Sequence, residues 1–168
     1  PNSTVIVSGD TQTIFEFALP KDVPELMQSW ITLFQKTCKE IAANKDAALS
    51  AYADLHVSFV RIHPFWDGNG RMARLIANVP VIMAGYPPII IPREHRWEYI
   101  ESLSEYHLAV GTLTSQHELL PDLKKLEKFK RFCAKSWSGS IKLVDNARKK
   151  QQARNQQKVR LSEGDDMP

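Results

Sequence analysis

Cysteine is scarce: the 168 residues hold two, Cys38 and Cys133. A pair so far apart makes neither a CxxC motif nor the dense disulfide frame of a small secreted domain. Both read as half-buried free thiols in a reducing compartment. No run of 18 apolar residues occurs, so no transmembrane helix is expected. No basic stretch leading into an apolar one opens the chain, so no signal peptide is expected. Residue 1 is Pro rather than Met, which reads as a piece of a longer protein. Seven Gly and ten Pro are too few for collagen-like or low-complexity sequence. No internal repeat is found.

What remains is ordinary globular composition, with 43% apolar and 24% charged residues. The length suits one domain, and it can bury a core without staples. The net charge of +3 is unevenly spread. Residues 142–160 hold seven Lys/Arg and one acid, so the rest of the chain is net −3. The basic character therefore belongs to the C-terminal stretch. With no interleaved aromatics, that stretch reads as a solvated helix or linker, and nucleic acid is not expected as a partner of the core.

The pattern along the chain predicts a mainly helical, all-α fold with a short β-hairpin near the N-terminus. Val5–Val7 and Ile14–Phe17 are β-prone, and Ser8–Thr13 between them is turn-rich. Apolar stripes predict helices from Asp22 or Pro24 to about Ala43, from about Asp46 to before His63-Pro64, and from Arg71 onward with a bend at Pro80. Two more run from Trp97 to about Val110 and from Leu120 to about Trp137. Tyr86–Pro92 reads as extended. Residues 1–140 are taken as one domain, with the hairpin at about 5–18 and a loop at 63–74. Residues 141–168 are taken as a basic polar tail, helical at best over 141–160 and disordered over its last eight residues.

Chemistry concentrates in His63-Pro-Phe-Trp-Asp-Gly-Asn-Gly-Arg-Met-Ala-Arg74. Gly68-Asn69-Gly70 sits between a helix end and a helix start. Glycines let backbone N–H groups converge, and the new helix adds its unpaired N–H groups and positive dipole end. Arg71 and Arg74, three apart, put two guanidinium groups beside this anion nest, which suits a polyphosphate better than one carboxylate. Asp67 at the lip makes a poor anion ligand but a good Mg²⁺ ligand, because Mg²⁺ bridges carboxylate and phosphate oxygens. His63 supplies a group able to take a proton near neutral pH. This inventory suits transfer of a phosphoryl or nucleotidyl group to a nucleophile.

These residues match H-x-F-x-[D/E]-G-N-G-R-x-x-R at every defined position, and the sequence resembles the Fic (Fic/Doc) family, AMP-transferase type. Val60-Arg-Ile-His63, Asn78, Ala84-Gly-Tyr-Pro-Pro88 and Tyr99 extend the likeness, as does the segment 5–17 followed by Pro20 and Met27, which resembles the family's flap hairpin and its next helix. The resemblance implies AMP transfer from ATP to a Ser, Thr or Tyr hydroxyl of a target protein or of the chain itself. In that reading His63 is the general base and Asp67 binds Mg²⁺. Gly68, Asn69 and Gly70 hold the α- and β-phosphates, Arg71 the β-phosphate and Arg74 the γ-phosphate. Phe65 anchors the loop in the core. The flap offers a strand edge to the target, with Phe15, Glu16 and Phe17 as docking residues. Tyr99 and His107 wall the nucleobase; many relatives carry Asn where His107 stands. His56, seven residues before His63, lacks the further ligands that a zinc site needs. Trp66, at a free position of the motif, caps the pocket or meets the target.

Alternatives of the same family are transfer of UMP, phosphate or phosphocholine. Kinase-like relatives replace the second loop glycine with Lys, whereas Gly70 is intact. A third reading is a nucleotide-binding toxin–antitoxin module without activity, against which stands the intact His63. The family's inhibitory motif, [S/T]-x-x-x-E-[G/N], is not matched: Val159 precedes Glu163-Gly164, and Leu119 follows Thr114…Glu118. A deinhibited domain is expected, with any inhibitory helix or antitoxin outside this chain. The expected setting is bacterial and cytoplasmic, without membrane contact, and compatible with an oligomer.

Overall fold

Helix α2, Lys45–Ile62, is the axis of the structure. Asn44 caps its start, the side-chain oxygen accepting from the Ala47 N–H at 2.8 Å. Its second half is buried on every side, from Leu55 through Ile62, which is the signature of a helix surrounded by others. It ends as Pro64 requires. The residue before a proline is disfavoured in the α region, and His63 takes the left-handed well instead, at φ 53 and ψ 56. The His63 N–H still reaches the Phe59 carbonyl at 3.0 Å.

The computed structural model describes residues 3–8 and 11–164. Around α2 pack α1 (Val23–Glu40), α3 (Asn69–Ile76), α4 (Asn78–Met83) and the first part of α6 (Glu127–Gly164), while α5 (Arg96–Val110) packs on α6. Trp30 of α1 shows how the layers lock. It is buried, its Nε1–H donates to the Leu55 carbonyl at 3.1 Å, and its ring meets Phe59 edge-on at 5.1 Å. The fold is thus mainly helical with one two-stranded antiparallel sheet, β1 (Ser3–Ser8) and β2 (Thr11–Glu16), in the register Ser3↔Glu16 to Ser8↔Thr11. Of the expected turn at 8–13, residues 9 and 10 lie outside the described residues. The expected strand Ile14–Phe17 stops one residue early. Phe17 leaves it because the next N–H, of Ala18, turns to the Arg61 carbonyl at 3.3 Å.

Two expectations need correction. The helix after the loop does not bend at Pro80 but breaks at Ala77, between α3 and α4. Pro80 lacks an N–H and crowds the carbonyl four residues back, at Ile76, so the interruption falls one turn upstream. Asn78 fills the gap: its Nδ2 donates to the Arg74 and Ile89 carbonyls, and its Oδ1 accepts from the Ile89 N–H at 2.7 Å. The helix expected from Leu120 begins at Glu127, after a 3₁₀ turn Leu123–Leu126, and does not fray after Trp137 but runs on to Gly164. Phe129, Phe132, Cys133 and Trp137 bury its first turns, and Trp137 Nε1 donates to the Pro87 carbonyl at 2.8 Å. Farther on, its side chains up to residue 157 are mostly exposed. Lys, Arg, Gln and Ala carry the helix there by propensity rather than packing. Residues 161–164 belong to this helix, and 165–168 lie outside the described residues. No described helix is long and apolar enough to cross a membrane.

Arg61 is buried without a carboxylate. It donates to the carbonyls of Leu119 and Gly111 and lies over the Tyr106 ring at 5.8 Å. One cation thereby ties the loop after α5 to the central helix.

The core also holds two buried histidines, His56 and His107. Burial pushes each down to about 3, aided by nearby positive groups. Above the ordinary histidine value of about 6.5 both folded and unfolded chains are neutral at these sites. Between about 6.5 and about 3 the unfolded chain takes up protons that the folded chain refuses, so stability falls as pH falls across that window. Thermal melts should show Tm dropping through this range, with a shallower drop for His107→Phe. An equal slope in wild type and variant would remove His107 from the acid response.

Candidate functional site

The end of α2, the turn 63–68 and the start of α3 form one unit. The His63 ring stacks on Phe17, centroids 3.8 Å apart and planes 14° from parallel. Its Nδ1 lies 3.2 Å from the Val60 carbonyl. A carbonyl only accepts, so Nδ1 carries the hydrogen and the neutral ring keeps its lone pair on Nε2. Burial lowers the pKa of His63, and the Val60 hydrogen bond only partly opposes this. The ring borders a cleft of about 400 Å³ lined by Pro20, Val23, Pro64, Phe65 and Trp66, among others.

Gly68 turns the chain with φ 84, a conformation that side chains rarely adopt. The helical ladder of α3 starts with the Met72 N–H to the Gly68 carbonyl, 2.9 Å. The N–H groups of Asn69, Gly70 and Arg71 therefore stand outside it and face the helix start. The Asn69 side chain does not join this anion nest. It is buried, its Nδ2 donates to the Phe65 carbonyl at 2.6 Å and its Oδ1 accepts from the Phe65 N–H at 2.9 Å. Asn69 can offer an anion only its backbone. Phe65, expected as a core anchor, is about half exposed, and its ring lies 6.1 Å between centroids from that of buried Phe59. The loop is pinned by the Phe65 backbone, not by its ring.

Asp67 and Arg71 face each other at 2.8 Å, both exposed. An exposed pair of this kind contributes about 0–1 kcal/mol, so each partner is readily recruited elsewhere. Asp67 is the one carboxylate at the lip, and among the described residues no cluster of three or more His, Cys, Asp or Glu could cage a metal ion.

Arg74 is held differently. Its Nη1 donates to the Tyr99 hydroxyl at 3.3 Å and its guanidinium sits 5.5 Å from the Tyr99 ring centre. The Tyr99 hydroxyl lies 3.2 Å from His56 Nε2. Arginine only donates, so the tyrosine oxygen accepts from Arg74 and gives its own hydrogen to His56. A Cβ on Gly70 would stand 3.5 Å from Arg74 Nη1 and 3.6 Å from the Tyr99 hydroxyl, so this pair lies against the start of α3. Sequence reasoning missed this relay. His56 sits two turns before His63 on one face of α2, but its partner Tyr99 is 43 positions away, and no local spacing announces that contact.

The remaining expected site residues are placed as follows. Tyr99 lines a cleft with Arg74 and Arg93, whereas His107 is buried behind the hairpin, stacked on Phe15 at 5.0 Å. Tyr99 and His107 are eight residues apart on α5, about 12 Å along its axis. Phe15 and Phe17 are buried, so their rings are spent on fastening the hairpin to His107 and His63 and are not presented to a target; Glu16 between them is exposed. Trp66 is fully exposed and lines both the His63 cleft and a second one, with Asp67, Gly68 and Arg71.

Residues 4–81 match the model of the Fic/DOC family. Among curated relatives, the chain is 39% identical over 84 residues to "Protein adenylyltransferase Fic" of Drosophila grimshawi, covering 50% of this chain and 17% of that protein. It is 39% identical over 94 residues to "Protein adenylyltransferase fic-1" of Caenorhabditis elegans, covering 56% and 16%. The chain thus spans a small part of the length of the relatives it matches. A Fic domain containing signaling protein of Bacteroides thetaiotaomicron superposes with TM-score 0.63 and 28% identity, over 87% of this chain and 54% of that one. A C. elegans Fic-1 structure superposes with TM-score 0.56 and 30% identity, over 85% and 36%. Residues 4–81, with the motif in their loop, thus match the Fic/DOC family, and the chain shares the fold of Fic-domain proteins.

Proposed function

We propose that this chain moves AMP from ATP to a hydroxyl side chain of a protein. The observation that carries the reading is the His63 ring. The Val60 carbonyl holds Nδ1–H, so the basic nitrogen of the neutral ring is Nε2, and the ring borders an open cleft that a substrate hydroxyl can enter. In the reaction the target hydroxyl oxygen bonds to the α-phosphorus as His63 Nε2 takes its proton. The bond from the α-phosphorus to the oxygen bridging the β-phosphate breaks, and pyrophosphate leaves with that oxygen.

The rest of the loop serves the anion. N–H groups at the start of α3 receive the α- and β-phosphates. Arg71 releases Asp67 to pair with the β-phosphate, and Arg74, kept in place by Tyr99, faces the terminal one. The α3 N–H groups and the Tyr99-held Arg74 are in place before substrate arrives, so they stabilise charge as it builds on the leaving group. Asp67 fits Mg²⁺, which takes one or two carboxylates together with substrate phosphates. Bound there, Mg²⁺ would add charge neutralisation on the departing pyrophosphate. The names of the curated relatives support a protein as acceptor. A target segment is taken up at the open edge of the hairpin by backbone pairing rather than by the aromatic rings.

Incubation with ATP and Mg²⁺ should add the mass of AMP to a target protein or to the chain itself. An adduct of phosphate alone would replace this reading with phosphotransfer, and ATP binding with no adduct would replace it with a binding module. His63→Ala should cut transfer by about 10²–10⁴-fold while ATP still binds; wild-type transfer by that variant would remove His63 as the base. Because burial lowers the His63 pKa, the base is neutral at pH 7. The rate should fall on acidification with an inflection below about 6.5, and an inflection above that value contradicts the assignment. Asp67→Asn should raise the Mg²⁺ concentration for half-maximal rate about tenfold or more; an unchanged requirement would free Asp67 from the metal.

A further inference from the structure

A second cleft, of about 220 Å³, opens between the end of α3 and the start of α5. Arg74, Arg93 and Arg96 line it together with Ile91, Pro92 and Tyr99. Three guanidinium groups converge there without a counter-charge. Arg93 and Arg96 are exposed and form no ion pair among the described residues, and Arg74 contacts only the neutral Tyr99 hydroxyl and ring. The nearby acid Glu98 is turned away, paired with Lys135 at 3.0 Å and with His95 at 3.7 Å, and Glu94 pairs with none of the three. Like charges gathered in this way repel one another until an anion joins them. The floor of the cleft is rigid, because the buried Tyr99–His56 contact fixes Arg74 from below.

We propose that Arg93 and Arg96 extend the phosphate site beyond Arg74: they rim this cleft for the terminal phosphate of a nucleoside triphosphate and for the matching end of the inorganic pyrophosphate left after transfer. The inference rests on the reading that Arg74 faces the terminal phosphate. It gives Arg93 and Arg96 a part in choosing a triphosphate over a monophosphate and in holding the leaving group. Planar guanidinium forks suit phosphate oxygens, and two rim arginines beside a third let one end of a pyrophosphate be gripped from several sides while its other end meets Arg71.

Calorimetric titration of the whole chain with inorganic pyrophosphate tests this directly. Wild type should bind pyrophosphate, and Arg93→Gln/Arg96→Gln should weaken that binding about tenfold or more. Arg148→Gln/Lys149→Gln, which removes the same charge from the exposed part of α6, should leave it unchanged. Circular dichroism checks that both double variants are folded; should the first not be, the single variants Arg93→Gln and Arg96→Gln are titrated in its place and should each weaken binding. No pyrophosphate binding by wild type, unchanged affinity in the rim variants, or equal losses in both pairs would overturn the proposal. Transfer of AMP with intact pyrophosphate affinity in the rim variants would sink the subsite alone. Loss of pyrophosphate binding in those variants, in a chain that transfers no AMP, would sink the transfer reading and keep the subsite.

Discussion

The site depends on one reversal of the chain, and the Asn69 carboxamide holds it closed. Its two hydrogen bonds to the Phe65 backbone, one given and one received, stand in for a rung of secondary structure where none exists. Each is worth about 0.5–1.5 kcal/mol net, and an unmet buried amide costs more than that. The reversal begins with His63 in the left-handed well and ends with Gly68 in the same region. Between them Pro64 forbids the helix from continuing. A base at the end of one helix is thus brought to the start of the next, with no strand or disulfide to enforce the meeting.

Five arginines show how burial decides what a cation does. Arg61 is sealed in the core and held by two carbonyls and an aromatic face, so it works as a structural tie. Arg71 is exposed and borrowed by Asp67 in a weak pair that substrate can outbid. Arg74 is intermediate: half-buried, anchored by a neutral hydroxyl rather than a carboxylate, so its full charge stays available. A carboxylate in place of Tyr99 would hold the guanidinium as firmly and cancel the charge that the anion needs. Arg93 and Arg96 lie at the exposed extreme, with no ion pair among the described residues.

Much of this was legible in the sequence because it is local. The helix end at His63-Pro64, the turn glycines, the start of α3 and the Arg spacing all follow from neighbours within four positions. The helical class and the hairpin followed from apolar periodicity. What failed to show was long-range or depended on burial. The period-2 pattern of Phe15, Glu16 and Phe17 told that the two rings share a face, but not that this face is the inner one. Phe65 read as core because phenylalanine usually is, yet its ring is half exposed. The break at Ala77 was missed because a proline's clash acts on the turn before it. The continuous α6 was missed because a polar, Lys- and Gln-rich stretch can stay helical on propensity alone.

The burial of Phe17 also changes what the hairpin is for. Because its ring lies 3.8 Å from the His63 ring, the hairpin forms one wall of the base's environment. The same contact contributes to the desolvation that lowers the His63 pKa. A target strand pairing with the hairpin would then act on two things at once: it brings a hydroxyl toward the cleft, and it presses on the element that holds the imidazole. Hairpin position, base orientation and base strength are one mechanical variable in this fold. Phe15 extends the coupling inward, since it stacks on His107 of α5, the helix whose other end carries Tyr99 and so Arg74. The hairpin and the Arg74 cleft are therefore linked by packing: through the Phe17–His63 and Phe15–His107 ring contacts, and through α5, which carries both His107 and Tyr99.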